Sequence, residues 1–424
     1  MILPLSLMNK KIPEKLFLLT GILGFVFILI LTFFHQQPPV FDEIPFVKNL
    51  HLFQTQGLSR QFLINVKDQA PGPLYEFVHY TFSPLTNFTT PGIRLVNVFL
   101  LGLTILLMAK IISMLRNISF SEALVFAVAL VAVPMVWQVT GLALTEMPTM
   151  FFSMLSIWLL LLAMKWEDAF LKSTGMAILS GLALGLAILG RSPFLIVGFS
   201  SAILLFQNFG NAKRWRTLLI FGICALSISV PVFIIWNGLV PPHQAYVGKG
   251  FSLWHGLLAF AYAAFFTVLL APNWFYFNKK TIFYLAGCYL VFLLVNIFIA
   301  HYEYAPLDKT LAKVFPVSFM KLYPLMISPL LATLSFYFVA CSFWQGWKKR
   351  SDPVFLFLLV AGMLLLASCF KVTHLFSTRY VAQASPFFLL LFPGFDKFTV
   401  SRLVRILIAM AIGFMSLETY IHRF

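Results

Sequence analysis

The apolar positions of this chain do not alternate with polar ones; they run on. Continuous or nearly continuous apolar stretches lie near residues 16–34, 92–114, 121–139, 147–164, 174–190, 193–206, 215–236, 253–271, 281–300, 321–344, 354–370, 380–393 and 403–417. Most approach the roughly 20 residues that a helix needs to cross a bilayer core. Ten-residue strands with an alternating face are absent from the pattern, which excludes a β-barrel. The expectation is an all-α integral membrane protein: a multi-pass helical bundle of about 11–13 transmembrane helices, forming one polytopic domain over residues 1–424. Two stretches, 193–206 and 380–393, are short, and 174–206 also reads as a re-entrant pair. The first stretch follows Lys10, Lys11 and Lys15 and lacks a small-x-small cleavage site, so it reads as an uncleaved signal anchor.

The longest polar interval is 35–91. Within it, Ile44, Val47, Leu50, His51 and Phe53 recur at helical spacing over 43–56, and Leu74, Phe77, Val78 and Phe82 over 73–82. Both pieces are expected to be interfacial helices lying in the headgroup plane with these faces down.

Composition sharpens the class. Of 424 residues, 60% are hydrophobic and 10% charged, and the mean hydropathy is +0.92. Soluble domains carry about 25% charged residues, so a soluble globule is excluded, as is a disordered chain. The net charge of +16 would suggest nucleic acid in a soluble protein. Here it has a topological reading. With a cytoplasmic N-terminus and alternating spans, 18 of the 30 Lys and Arg residues fall on the inner side, in short loops beside span ends. No nucleic-acid partner is expected. The four cysteines sit in apolar stretches and read as small buried hydrophobes. No metal-ligand set is visible, so neither metal nor cofactor is expected.

No acidic residue lies in the middle of a span, which weakens an ion-coupled transporter reading. Chemistry is therefore sought at the outer span ends. Asp42 and Glu43 follow the first span closely. A carboxylate at a membrane surface is partly desolvated and suits general-base work; two acids there also suit a helix N-terminus, the simpler reading. Glu146, in Thr145-Glu146-Met147-Pro148, likewise reads as the first turn of a helix with Thr145 as N-cap. Arg191, Lys371, His374 and Arg379 are cations on the side where basic residues are disfavoured. They call for an anionic partner, with phosphate the natural one, or for snorkelling to the headgroups of membrane lipids. Lys249 reads as a snorkelling residue.

Several segments together resemble the GT-C glycosyltransferases, membrane enzymes that use polyprenyl-phosphate sugars. Ala70-Pro71-Gly72-Pro73-Leu74-Tyr75 and Pro91-Gly92-Ile93-Arg94-Leu95 are similar to a passage of the protein mannosyltransferase and lipid A aminoarabinose transferase group. So are Thr145-Glu146-Met147-Pro148 and Arg379-Tyr380 with Pro386. Trp236-Asn237-Gly238-Leu239-Val240-Pro241-Pro242 resembles a segment of the dolichol-linked-oligosaccharide α-1,2-glucosyltransferase. The resemblance implies a hexosyltransferase moving a sugar from a dolichyl or undecaprenyl phosphate to a hydroxyl on a lipid-linked glycan, lipid or protein, with inversion and without a metal. It implies that Asp42 is the base, that Glu43 orients it or the acceptor, that Glu146 shapes the cavity, and that Arg191 and Arg379 hold the donor phosphate. The active site would face away from the cytoplasm, at the plasma membrane of a prokaryote or the endoplasmic reticulum of a eukaryote. The competing reading is a lipid or sugar transporter, which would carry internal repeats; none is visible.

Overall fold

The computed structural model describes residues 10–69, 72–206, 209–244, 250–301, 312, 315–373, 376–394 and 397–422. Every one of the apolar stretches is helical. Among the described residues, ten helices are long and apolar enough to cross a membrane, or eleven if one bent pair counts as a span. The chain is an integral, multi-pass membrane protein.

The first span is α1, Glu14–Phe34. The interval before the second holds α2 (Glu43–Gln56), α3 (Arg60–Asn65) and α4 (Leu74–Thr81). The second span is α5, Gly92–Arg116. The bent pair joins α6 (Phe120–Ala127) and a tighter turn to α7 (Pro134–Gly141) at 79°. Proline has no N–H and clashes with the preceding turn, and Pro134 sits at the break; the indole of Trp137 donates to the Val131 carbonyl there at 2.8 Å. Then follow α8 (Glu146–Lys165), α9 (Phe170–Gly190), the short α10 (Leu195–Ser200) and α11 (Ala212–Trp236). The remainder is α12 (Leu253–Leu270), α13 (Lys279–Val295), α14 (Val317–Lys348), α15 (Pro353–Ala367), α16 (Arg379–Leu391) and α17 (Val400–Ile421).

Against the expected 11–13 spans, the described residues give ten, or eleven with the bent pair as one; the two short stretches fall below the length of a span. Helical residues run from 192 to 205 around α10, and α16 has 13 residues. At about 1.5 Å per residue neither reaches 30 Å. Every residue of α16 except Tyr380 is buried, so it is a core helix packed among the others. The alternation of ends survives. At one end, His35 pairs with Glu418 and Trp236 bonds the Leu63 carbonyl. At the other, Arg116 bonds the Pro393 carbonyl and Arg214 pairs with Glu167.

Close packing has a visible cause between α9 and α11. Ala177, Gly181 and Gly185 recur every four residues on α9. A methyl group at Gly185 would come within 2.8 Å of the Ala225 carbonyl on α11. Such small-residue stripes let membrane helices approach backbone to backbone.

The helices of this interval form where expected, but the faces they bury coincide only in part with the expected ones. α2 turns Glu43, Phe46, Asn49, Leu50 and Phe53 inward and leaves Ile44 exposed. α4 buries Leu74, Tyr75, Glu76 and His79. The two pack on each other, with the rings of Phe46 and Tyr75 5.1 Å apart. Each element here faces protein, which rewards the polar residues that a lipid-facing helix would exclude.

Candidate functional site

The chain leaves α1 through Pro38 and Pro39, and Phe41 adopts φ 51°. This left-handed conformation is disfavoured for an aromatic residue. Asp42 follows at the N-cap position of α2, yet its side chain makes no capping bond. It points instead to Arg379, whose Nη1 lies 2.5 Å from Asp42 Oδ2. Thr145 makes no capping bond to α8 either. The acids do stand at helix N-termini as expected, with Thr145 the N-cap of α8, but without capping bonds from Asp42 or Thr145, and Asp42 and Glu146 are turned toward cations.

Glu146 is fully buried. Its Oε1 pairs with Arg191 and lies 4.0 Å from Nη1 of Arg379. The guanidinium of Arg191 also sits over the ring of Tyr380, 5.7 Å from its centre. Burial pushes Arg191 down to about 10, with Tyr380 and Asp42 opposing; it remains charged at neutral pH. Arg379 is steadied by Ser377, whose hydroxyl accepts from Nε at 2.9 Å. Asp42, Glu146, Arg191 and Arg379 thus converge from four separate segments. Sequence reasoning selected all four; it missed Ser377 and Tyr380 as their supports.

Glu43 has a different situation. Its carboxylate is wholly buried and accepts four bonds: from Arg94 Nε (2.9 Å), Arg94 Nη2 (2.6 Å), the Ala143 amide (2.7 Å) and the Val40 amide (2.9 Å). Arg94 is also fully buried and donates to the carbonyls of His35 and Pro38. All lone-pair directions of Glu43 are used, so its place is to fix the turn that carries Asp42. The bidentate fork is the geometry at which arginine excels. Arg94 was visible only within the Pro91–Leu95 segment, without a role.

Lys371 is exposed and pairs with neither Asp42 nor Glu146. His374 and Lys249 lie outside the described residues. The Trp236-Asn237-Gly238 segment ends α11: Asn237 takes the left-handed conformation, and Trp236 donates to the Leu63 carbonyl at 2.8 Å. It holds α3 to the bundle.

Near Glu43 and Arg94, and given no role from the sequence, Tyr75, Glu76 and His79 are fully buried on α4. The Tyr75 and His79 rings lie 4.0 Å apart. Burial raises the Glu76 carboxyl to about 8 against the Gln69 amide beside it, and lowers His79 to about 3. Both are neutral at pH 7. Their signal was the polar types on an amphipathic segment, masked there by reading that segment as a helix lying on lipid.

Among the described residues, no group of His, Cys, Asp and Glu is placed to hold a metal ion. No protein-family model and no curated protein matches the chain. Solved structures similar to it include two of one protein. The crystal structure of ArnT from Cupriavidus metallidurans bound to undecaprenyl phosphate has a TM-score of 0.45 at 14% identity. The apo structure of the same protein has a TM-score of 0.43 at 14% identity. Each comparison covers 92% of this chain and 77% of the other.

Proposed function

We propose that this chain is a membrane glycosyltransferase that moves a sugar from a polyprenyl phosphate to an acceptor hydroxyl at the non-cytoplasmic face. One observation carries this reading. Two guanidinium groups and two carboxylates meet at one end of a membrane bundle, where an amphiphilic lipid phosphate would present its headgroup. Asp42, about one-third exposed, is the base; the acceptor is a lipid-linked glycan, lipid or protein. Basic residues at the opposite end agree with a cytoplasmic N-terminus.

The chemistry runs as follows. The acceptor O–H gives its proton to Asp42 as its oxygen bonds the anomeric carbon. The bond from that carbon to the phosphate oxygen breaks, through an oxocarbenium-like transition state. The electron pair goes to the phosphate, and Arg191 and Arg379 meet the charge that grows there. Attack opposite the leaving group inverts the anomeric carbon.

The test uses purified protein in lipid nanodiscs with a panel of polyprenyl-phosphate sugars and candidate acceptors. Release of polyprenyl phosphate, coupled to acceptor glycosylation, supports the reading. Transbilayer movement of the intact donor in proteoliposomes, without release from any member of the panel, would replace it with the transporter.

A further inference from the structure

Asp42 and Glu146 share one arginine but not one fate. Glu146 is fully enclosed and touches both guanidinium groups. Asp42 is about one-third exposed and touches Arg379 alone at the rim. That contact is a short ion pair, with Arg379 Nη1 2.5 Å from Asp42 Oδ2. Nε of the neighbouring Arg191 is buried and without an acceptor among the described residues. A buried donor left unsatisfied is costly. This open donor, beside a second guanidinium group held by a rim carboxylate, suits a ligand with several acceptor oxygens.

We propose that Asp42 is the resident anion of a phosphate site, and that a lipid phosphate entering it takes Arg379 from Asp42 and so frees the base. This rests on the function proposed above and deepens it. Charge favours the exchange at Asp42 and not at Glu146. Four formal charges cancel in the cluster as arranged here, so an arriving phosphate needs a cation already committed elsewhere. The rim carboxylate is easily rehydrated when released; the enclosed one is not. Once displaced, Asp42 regains the lone pair that Arg379 had engaged, on the open side of the site where an acceptor hydroxyl arrives. The base is thus delivered when the donor is seated. After transfer the proton rests on Asp42 and the new dianionic charge on the lipid phosphate. Loss of that proton to water returns a carboxylate able to compete for Arg379 and help expel the product.

The experiment is a double-mutant cycle in the binding of undecaprenyl phosphate to the full chain in nanodiscs, using wild type, Asp42→Asn, Arg379→Gln and both together. Removing the competitor is expected to tighten binding about tenfold in Asp42→Asn, an energy of about 1.4 kcal/mol. In the Arg379→Gln background the same change should add nothing, because the contested cation is gone. Unfolding temperatures of all four proteins identify any variant that is misfolded; Asp42→Glu, which keeps the charge, should retain wild-type affinity and carries the comparison if Asp42→Asn is unstable. Equal tightening in both backgrounds would mean that Asp42 merely repels phosphate through space, and would overturn the exchange. Unchanged or weaker binding by Asp42→Asn would overturn it as well. A wild type that binds no undecaprenyl phosphate would remove the proposed function itself, and the exchange with it.

Discussion

Asp42 and Glu43 are adjacent in sequence and opposite in circumstance. Glu43 is enclosed with every acceptor direction taken, whereas Asp42 has a single cation and access to water. Adjacent acids looked interchangeable as helix caps because a sequence shows charge and position, not the direction of a side chain. The αR backbone of Asp42 (ψ −15°), after the left-handed Phe41, turns it away from the helix N-terminus. Arg379→Lys is expected to raise the donor KM and slow transfer roughly tenfold, since lysine keeps the charge but lacks the fork. Steady-state kinetics against donor concentration checks this, and an unchanged donor dependence would return Arg379 to a headgroup contact. Glu76 makes a stability prediction. Its folded pKa is raised to about 8 from 4.5, so the folded state holds the extra proton and stability falls as pH rises through that interval. His79, lowered to about 3 from 6.5, works oppositely and loses stability only as pH falls below 6.5. Between pH 6.5 and 8 the loss therefore belongs to Glu76 of the two. The unfolding temperature should fall across that window, and less so in Glu76→Gln.

At the scale of elements, the helices were legible because apolar length is written directly in the chain. Their partners were not. The spacing on α2 identified a helix, but the buried side depends on what lies across from it, and α4 rather than lipid lies there. Arg94 is the clearest case. From α5 it reaches the α1–α2 turn, and Glu43 continues the link to the Ala143 amide before α8. No local pattern encodes a bond across 51 residues. Arg94→Met leaves Glu43 buried without its cation, and should cost about 3–5 kcal/mol, the range for breaking a buried ion pair. Adding Glu43→Gln should recover part of that loss. Unfolding of the single and double variants in one detergent measures both, and full additivity of the two changes would show that the pair is not coupled.

For the whole molecule, the sum of these contacts is a bundle whose Asp42 end gathers the acids and cations while the opposite end keeps basic loops. Cysteine-accessibility labelling should place positions 42 and 191 on one side of the membrane, away from position 213; labelling of 42 and 191 from opposite sides would break the site apart. The four site residues could be chosen from sequence because each is a charge beside an apolar stretch, where charge is costly and rarely idle. Their pairing could not be, since it depends on how four separate segments pack. The central claim is that Asp42 accepts the acceptor's proton beside a phosphate held by arginine. The most direct measurement is single-turnover release of polyprenyl phosphate by wild type and Asp42→Asn, in nanodiscs, at saturating sugar donor and acceptor. The expected result is a variant that binds donor yet transfers roughly 10²–10⁴-fold more slowly, the usual loss with a general base. Transfer by Asp42→Asn at the wild-type rate would contradict it.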